Sequence, residues 1–126
     1  MSNRVLNIDD DPMVRSLVRT MLEASSYEVL SADGGNEAFR LLEQQPRPLD
    51  LLCIILDLQM PDMSGFDVIT RLKLNAETQN IPVMMLTCQG NPEDFVTGYQ
   101  IGADYYVTKP FTRDQLLYGI KLISHK

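Results

Sequence analysis

The 126-residue sequence is poor in the residues that build soft-metal sites and disulfide frameworks. It has two cysteines, Cys53 and Cys88, far apart and with no CxxC pair, and a single histidine, His125. A zinc site is therefore not expected. Both cysteines lie in or beside apolar runs and read as small buried residues of a reducing compartment. Long apolar runs are also missing. No segment approaches the roughly 18 apolar residues a membrane span requires. Met1-Ser2-Asn3-Arg4 leads straight into a strand-like segment, so no signal peptide is expected and the location is read as cytoplasmic. Positive charge is scarce, with 11 Lys and Arg against 17 Asp and Glu, a net charge of −6. That balance repels phosphate backbones and argues against direct nucleic-acid binding. The same excess suits a site that gathers carboxylates around a hard cation. Neither an internal repeat nor a low-complexity segment is present, and the length suits one domain, 1–126.

What is present is a regular alternation of strand-like and helix-like segments. The clearest is the run Leu51 to Leu56, six apolar residues leading into Asp57. It shows no two-fold alternation, as expected of a central parallel strand covered on both faces. Arg4 to Ile8 predicts a first strand ending in Asp9-Asp10-Asp11. Pro12 opens a helix whose stripe is Val14, Leu17, Val18, Met21 and Leu22, with Arg15, Arg19 and Glu23 on the wet face. Glu28 to Ala32 predicts a second strand, and Asn36 is a plausible cap for a helix reaching Gln44. After Asp57, a helix from Ser64 or Gly65 to Asn75 buries Phe66, Ile69 and Leu72. Pro82 to Thr87 predicts a fourth strand. Asn91-Pro92-Glu93 starts a helix that Gly102 closes. Asp104 to Val107 predicts a fifth strand. Thr112 and Gln115 form a capping box for the last helix, with Leu116, Leu117, Ile120 and Ile123 as its buried stripe.

Strands at this spacing, each followed by a helix, imply an α/β fold: an open, doubly wound, five-stranded parallel sheet with right-handed crossovers. Ligands of such sheets bind at the carboxyl edge. That edge collects Asp9, Asp10, Asp57, Thr87 and Lys109 from separate strand ends. Taken alone, Asp57 reads equally well as a helix cap, Thr87 as a strand-end threonine and Lys109 as a surface lysine. Together they make a site. Three carboxylates in one cleft repel each other unless a cation neutralises them, and oxygen-only donors suit Mg²⁺. Asp10, Asp57 and a loop carbonyl such as that of Gln59 would leave room for a phosphoryl oxygen. A neutralised carboxylate can then act as a nucleophile on phosphorus, with Thr87 donating a hydrogen bond and Lys109 supplying positive charge.

On these residues the chain resembles the receiver domains of two-component response regulators, in the layout of the bacterial single-domain chemotaxis regulators. The matching elements are Asp9-Asp10, Asp57 with Met60-Pro61 and Gly65, Thr87, and Lys109-Pro110-Phe111. The resemblance implies a flavodoxin-like (βα)5 fold with strand order 2-1-3-4-5. It implies Asp57 as phosphoacceptor, with Mg²⁺ or Mn²⁺ held by Asp10, Asp57 and the Gln59 main-chain carbonyl, and Asp9 acting through water. Thr87 and Lys109 would contact the phosphoryl group, and a cis peptide would precede Pro110. Thr87 and Tyr106 would be the switch pair, with Tyr105 pointing the other way. The phosphoryl donor would be a histidine kinase or a histidine phosphotransfer protein. The reader would be a downstream protein or an output domain, docking on the face of the fourth helix, fifth strand and fifth helix with Tyr99, Tyr106, Arg113, Tyr118 and Lys121. Either a monomer or a phosphorylation-dependent homodimer is compatible with this.

Several positions depart from the commonest pattern. Asn7 is polar in a buried strand, so its amide should find a partner. Cys88 stands beside the switch threonine where a smaller residue is usual, and narrows access to the site. Gln59 and Gln89 flank the site as neutral amides, and Gly90-Asn91 suggest a mobile loop. The competing reading is a Mg-dependent phosphohydrolase with an aspartyl nucleophile, of the haloacid dehalogenase kind. Such enzymes place a second aspartate two residues after the nucleophile, where this chain has Gln59. A flavodoxin-like cofactor binder is disfavoured because Asp9-Asp10-Asp11 would repel a cofactor phosphate. The chain is thus read as a switch rather than an enzyme.

Overall fold

The computed structural model describes residues 2–88 and 92–124. Gln89, Gly90, Asn91 and His125 lie outside the described residues, and with them the readings of the Gln89 amide, the mobile loop and the Asn91 cap. Five strands and five helices alternate. They are β1 (Arg4–Ile8), α1 (Pro12–Glu23), β2 (Glu28–Ala32), α2 (Gly35–Gln44), β3 (Cys53–Asp57), α3 (Gly65–Leu74), β4 (Val83–Thr87), α4 (Pro92–Ile101), β5 (Tyr105–Thr108) and α5 (Arg113–Ser124). All strand pairs are parallel, in the order β2-β1-β3-β4-β5. This is the doubly wound order expected.

The unbroken apolar run of β3 has a simple cause. Along the strand, Ile54 and Leu56 pack with Ala38, Leu42, Val68, Ile69 and Leu72, the layer of α2 and α3. Cys53 and Ile55 face Val18, Leu22, Leu116 and Ile120, the layer of α1 and α5. Successive side chains point to opposite faces, and both faces are covered, so every position must be apolar. The β3 residues Cys53 to Leu56 are fully buried, and truncating any large one to alanine costs about 2–5 kcal/mol.

Local signals explain the helix ends. Asp11 caps α1, its carboxylate accepting from Met13 N at 2.9 Å, and Pro12 takes the first turn where its missing N–H costs nothing. Ser64 caps α3 by accepting from Asp67 N at 3.2 Å. Thr112 and Gln115 form the capping box: Gln115 N donates to the Thr112 hydroxyl at 3.1 Å, and Thr112 N to the Gln115 side chain at 2.8 Å. Gly102 closes α4 at φ +122°, a conformation a side chain would strain.

Four expectations need correction. Asn36 is not a cap: α2 starts at Gly35 with Gly34 at the N-cap, and the acceptor comes from Asp62 in a distant loop. Leu17 is not in the stripe of α1 but 46% exposed, because the layer shared with α5 is narrow and is filled by Val14, Val18, Met21 and Leu22. Cys88 is exposed, since it lies one residue past the last paired residue of β4. The Asn7 amide is fully buried between Ser31 and Ile55 in the register, and neither its nitrogen nor its oxygen reaches a protein partner. Smaller shifts occur at strand ends. The third strand begins at Cys53 rather than Leu51, the fourth at Val83 rather than Pro82, and the fifth runs one residue later, Tyr105–Thr108.

Candidate functional site

The carboxyl edge opens into a cleft of about 500 Å³ lined by Asp9, Asp10, Asp11, Asp57, Gln59, Thr87, Cys88 and Lys109. A larger hollow, about 970 Å³, lies at the opposite edge between Leu51, Leu52, Pro82 and Ile123, and its charged lining residues, Lys73, Asp104 and Lys121, include a single carboxylate. Ligand oxygens of Asp9, Asp10 and Asp57 lie within 4.8 Å of one another. Each residue arrives by a different route. Asp9 continues β1, its N–H donating to Ala32 O at 3.1 Å. Asp57 is the last residue of β3, opposite Leu86. Lys109 follows β5, its N–H donating to Thr87 O at 2.6 Å, and a cis peptide joins it to Pro110.

The three consecutive aspartates divide the work. Asp9 is fully buried, and its carboxylate accepts from Asp11 N at 2.9 Å and from Lys109 Nζ at 3.0 Å. Asp10 is exposed and turned to the cleft. Asp11 is committed to capping α1. The Asp9 carbonyl accepts a 2.6 Å hydrogen bond from Arg15, which is therefore not a purely solvent-facing residue of α1 as its helical position predicts.

Lys109 Nζ lies 3.3 Å from Asp57 Oδ1 and so bridges two carboxylates. Burial and then the Asp9 charge push the Asp57 carboxyl up to about 6; Lys109 pulls in the opposite direction and does not win. Burial works against the Lys109 ammonium. Its hydrogen bond to Asp9 and the charges of Asp57 and Asp9 outweigh that and hold it above the ordinary lysine range. A cleft with surplus carboxylate and one cation is chemically suited to a hard divalent ion. The clustered donors are all oxygens, as Mg²⁺ or Mn²⁺ prefers. The Cys88 thiol also faces the cleft but is not part of that cluster. The buried Cys53 thiol is pushed up to about 12 by burial and is inert.

Tyr106 lies on β5 opposite Met85, half-buried under α4. Its hydroxyl donates to Asp94 O at 2.9 Å, and its ring meets Phe95 and Tyr99 edge-on at 4.7 and 5.2 Å. Tyr105 points to the other face, against Tyr118 at 6.5 Å. Gly98 was missed in the sequence. A side chain there would collide with the Tyr106 hydroxyl and lie 2.6 Å from its Cζ, so α4 is notched to admit the phenol. A glycine inside a helical pattern was the available signal.

A doubly wound α/β sheet with a carboxylate-lined cleft and one lysine at its carboxyl edge defines the class: an open α/β domain with its ligand site outside the strand ends. The response regulator receiver domain family matches residues 5–121, and the chain belongs to it. The transcriptional regulatory protein SrrA of Staphylococcus aureus is 36% identical over 126 residues, which is 100% of this chain and 49% of that protein. The chain thus spans about half the length of the curated relatives it matches. Among solved structures, chemotaxis protein CheY4 of Vibrio cholerae superposes with a TM-score of 0.89 at 29% identity, covering 98% of this chain and 99% of that one. The receiver domain of a signal transduction histidine kinase from Syntrophus aciditrophicus gives 0.85 at 30% identity, covering 97% and 89%. Membership makes this a receiver domain of two-component signalling. No helix among the described residues is long and apolar enough to cross a membrane.

Proposed function

We propose that the chain, as one receiver domain over 1–126, is a phosphorylation-dependent switch in which Asp57 accepts a phosphoryl group. The observation that carries this is the setting of the Asp57 carboxylate, within 4.8 Å of Asp9 and Asp10 and 3.3 Å from Lys109 Nζ. An Asp57 oxygen forms the new bond to phosphorus. The phosphorus–nitrogen bond of a phosphohistidine donor breaks, and its electron pair leaves with the imidazole. The donor is a histidine kinase or a histidine phosphotransfer protein. Asp10, Asp57 and the Gln59 main-chain oxygen would hold Mg²⁺ or Mn²⁺, with Asp9 acting through water. When bound, that cation would supply charge that neutralises the carboxylates and the phosphoryl group. Lys109 balances the added charge from the other side, and the Thr87 hydroxyl donates to the phosphoryl group.

Moving Thr87 toward the phosphoryl group vacates space, and Tyr106 leaves its notch in α4 and turns inward. The α4–β5–α5 face, which carries Tyr99, Tyr106, Arg113, Tyr118 and Lys121, then changes shape for a downstream protein or an output domain. A cytoplasmic location fits this role. Gln59 stands where an aspartyl phosphohydrolase needs a second acid, which favours the switch over the hydrolase. The test is incubation with acetyl phosphate and Mg²⁺ followed by mass spectrometry. One phosphoryl group on Asp57, absent in Asp57→Asn, is expected. Stoichiometric uptake by Asp57→Asn, or multiple turnover of phosphate esters, overturns the assignment.

A further inference from the structure

The loop that carries Gln59 is an arch between β3 and α3. Its base is closed: Leu58 N donates to Leu86 O at 3.2 Å, and Gly65 N donates to Leu58 O at 2.7 Å. At Gly65 an added Cβ would lie 2.6 Å from Asp57 O, so base and phosphoacceptor strand are in direct contact. Gln59 and Pro61 are exposed. The far side of the arch rests on Met60 and Met63, packed against the α2–α3 layer, and is hydrogen-bonded to α2 through one side chain. Asp62 Oδ2 accepts from Asn36 N at 2.9 Å, across to the first turn of α2, while Oδ1 accepts from Met63 N within the loop at 2.9 Å.

Two glycines make room for this tie. At Gly34 a Cβ would stand 2.7 Å from Asp62 Oδ1, and at Gly35 it would collide with the Met63 sulfur. Gly34 also provides no side-chain cap of its own, so the helix start depends on the visiting carboxylate. The hydrogen bond from Asn36 N holds the Asp62 carboxyl below the usual range, as a bound anion at a helix start should be.

We infer that Asp62 is a positioning residue for the Gln59 main-chain oxygen, fixing the arch to α2 so that this oxygen faces the carboxylate cluster. The inference rests on the reading of that cluster as a Mg²⁺ site. Without the tie, residues 59–63 keep their closed base and the apolar packing of Met60 and Met63 but lose their hydrogen bond to α2, and the oxygen must be ordered at the expense of cation binding.

The experiment is calorimetric titration of MgCl₂ into the whole chain, with amide NMR on the same samples. Wild type should bind one ion. Asp62→Ala should bind it about ten-fold more weakly, in line with the loss of a second-layer support, and the Asn36 amide should shift. Asp62→Asn keeps an acceptor oxygen and should recover part of the affinity, and it stands in if the alanine variant does not fold. Thr112→Ala removes the cap of α5, on the face of the sheet opposite α2 and α3, and should lower the melting temperature without moving Mg²⁺ affinity. Equal affinity in wild type and both Asp62 variants overturns the inference and leaves the metal reading standing. Failure of wild type to bind Mg²⁺ overturns both. A loss in Thr112→Ala equal to that in Asp62→Ala also overturns it, since fold stability alone would then set the affinity.

Discussion

The two sides of the cleft are held to the fold in very different ways. On the acidic side, α3 buries Val68, Ile69 and Leu72, its cap is made by Ser64, and the loop beneath it is tied to α2. On the tyrosine side, the only buried residue of α4 is Gly98, while Val96 and Tyr99 are 56% and 48% exposed. α4 is held by one phenol hydrogen bond, two edge-on ring contacts and the packing of its last residue, Ile101, against the α2–α3 layer. Reacting groups need fixed positions, and a surface that reports needs a second arrangement of similar free energy. The contrast divides one small domain into a deeply packed half and a lightly packed half.

The sharpest way to break that contrast is to truncate one residue on each side. Leu72→Ala should cost about 2–5 kcal/mol in urea unfolding, and Val96→Ala less than about 0.5 kcal/mol. Similar losses would show that α4 is as firmly built in as α3. The next effect changes sign. In wild type, Gly98→Ala drives a methyl into the Tyr106 hydroxyl and should destabilise by about 1–3 kcal/mol. With Tyr106→Ala already present, the same change should stabilise by up to about 1 kcal/mol, because alanine is the better helix former. A double-mutant cycle measures both, and stabilisation in both backgrounds would remove the notch.

A smaller effect belongs to the acidic side and concerns pH. The Asp57 carboxyl moves from its ordinary 3.8 up to about 6 on folding. A raised carboxyl stabilises the fold fully below the unfolded value, and that contribution is lost as pH rises through the folded value. Wild type should therefore lose melting temperature relative to Asp57→Asn between about pH 4 and 6, with no further change above 7. A difference that grows in wild type's favour over that window would mean that Lys109, not burial and Asp9, governs Asp57.

Much of this was legible in the sequence because it is periodic. The strand and helix order followed from apolar spacing, and the edge residues from where strands end. Tyr105 and Tyr106 fell on opposite faces as alternation requires. What was hidden depends on contacts distant along the chain. Asn36 looked like a cap because asparagine often is one; the actual acceptor, Asp62, comes from 26 positions away. Leu17 fitted the helical period, but the layer between α1 and α5 had no room for it. Arg15 sits where its helix faces the cleft, and no local signal says that its guanidinium will reach the Asp9 carbonyl. The Asn7 amide, buried in β1, has no protein partner among the described residues, which strand position alone does not reveal.

The tyrosines around β5 have an optical consequence. The sequence contains no tryptophan and five tyrosines, so tyrosine dominates its near-ultraviolet absorption and emission. Four of the five, Tyr99, Tyr105, Tyr106 and Tyr118, stand on or beside β5, and Tyr106 and Tyr105 couple to separate partners on its two faces. Near-ultraviolet circular dichroism of the unlabelled chain is thus almost a local spectrum of this strand, with the Tyr105–Tyr118 pair as a built-in reference for movement of Tyr106.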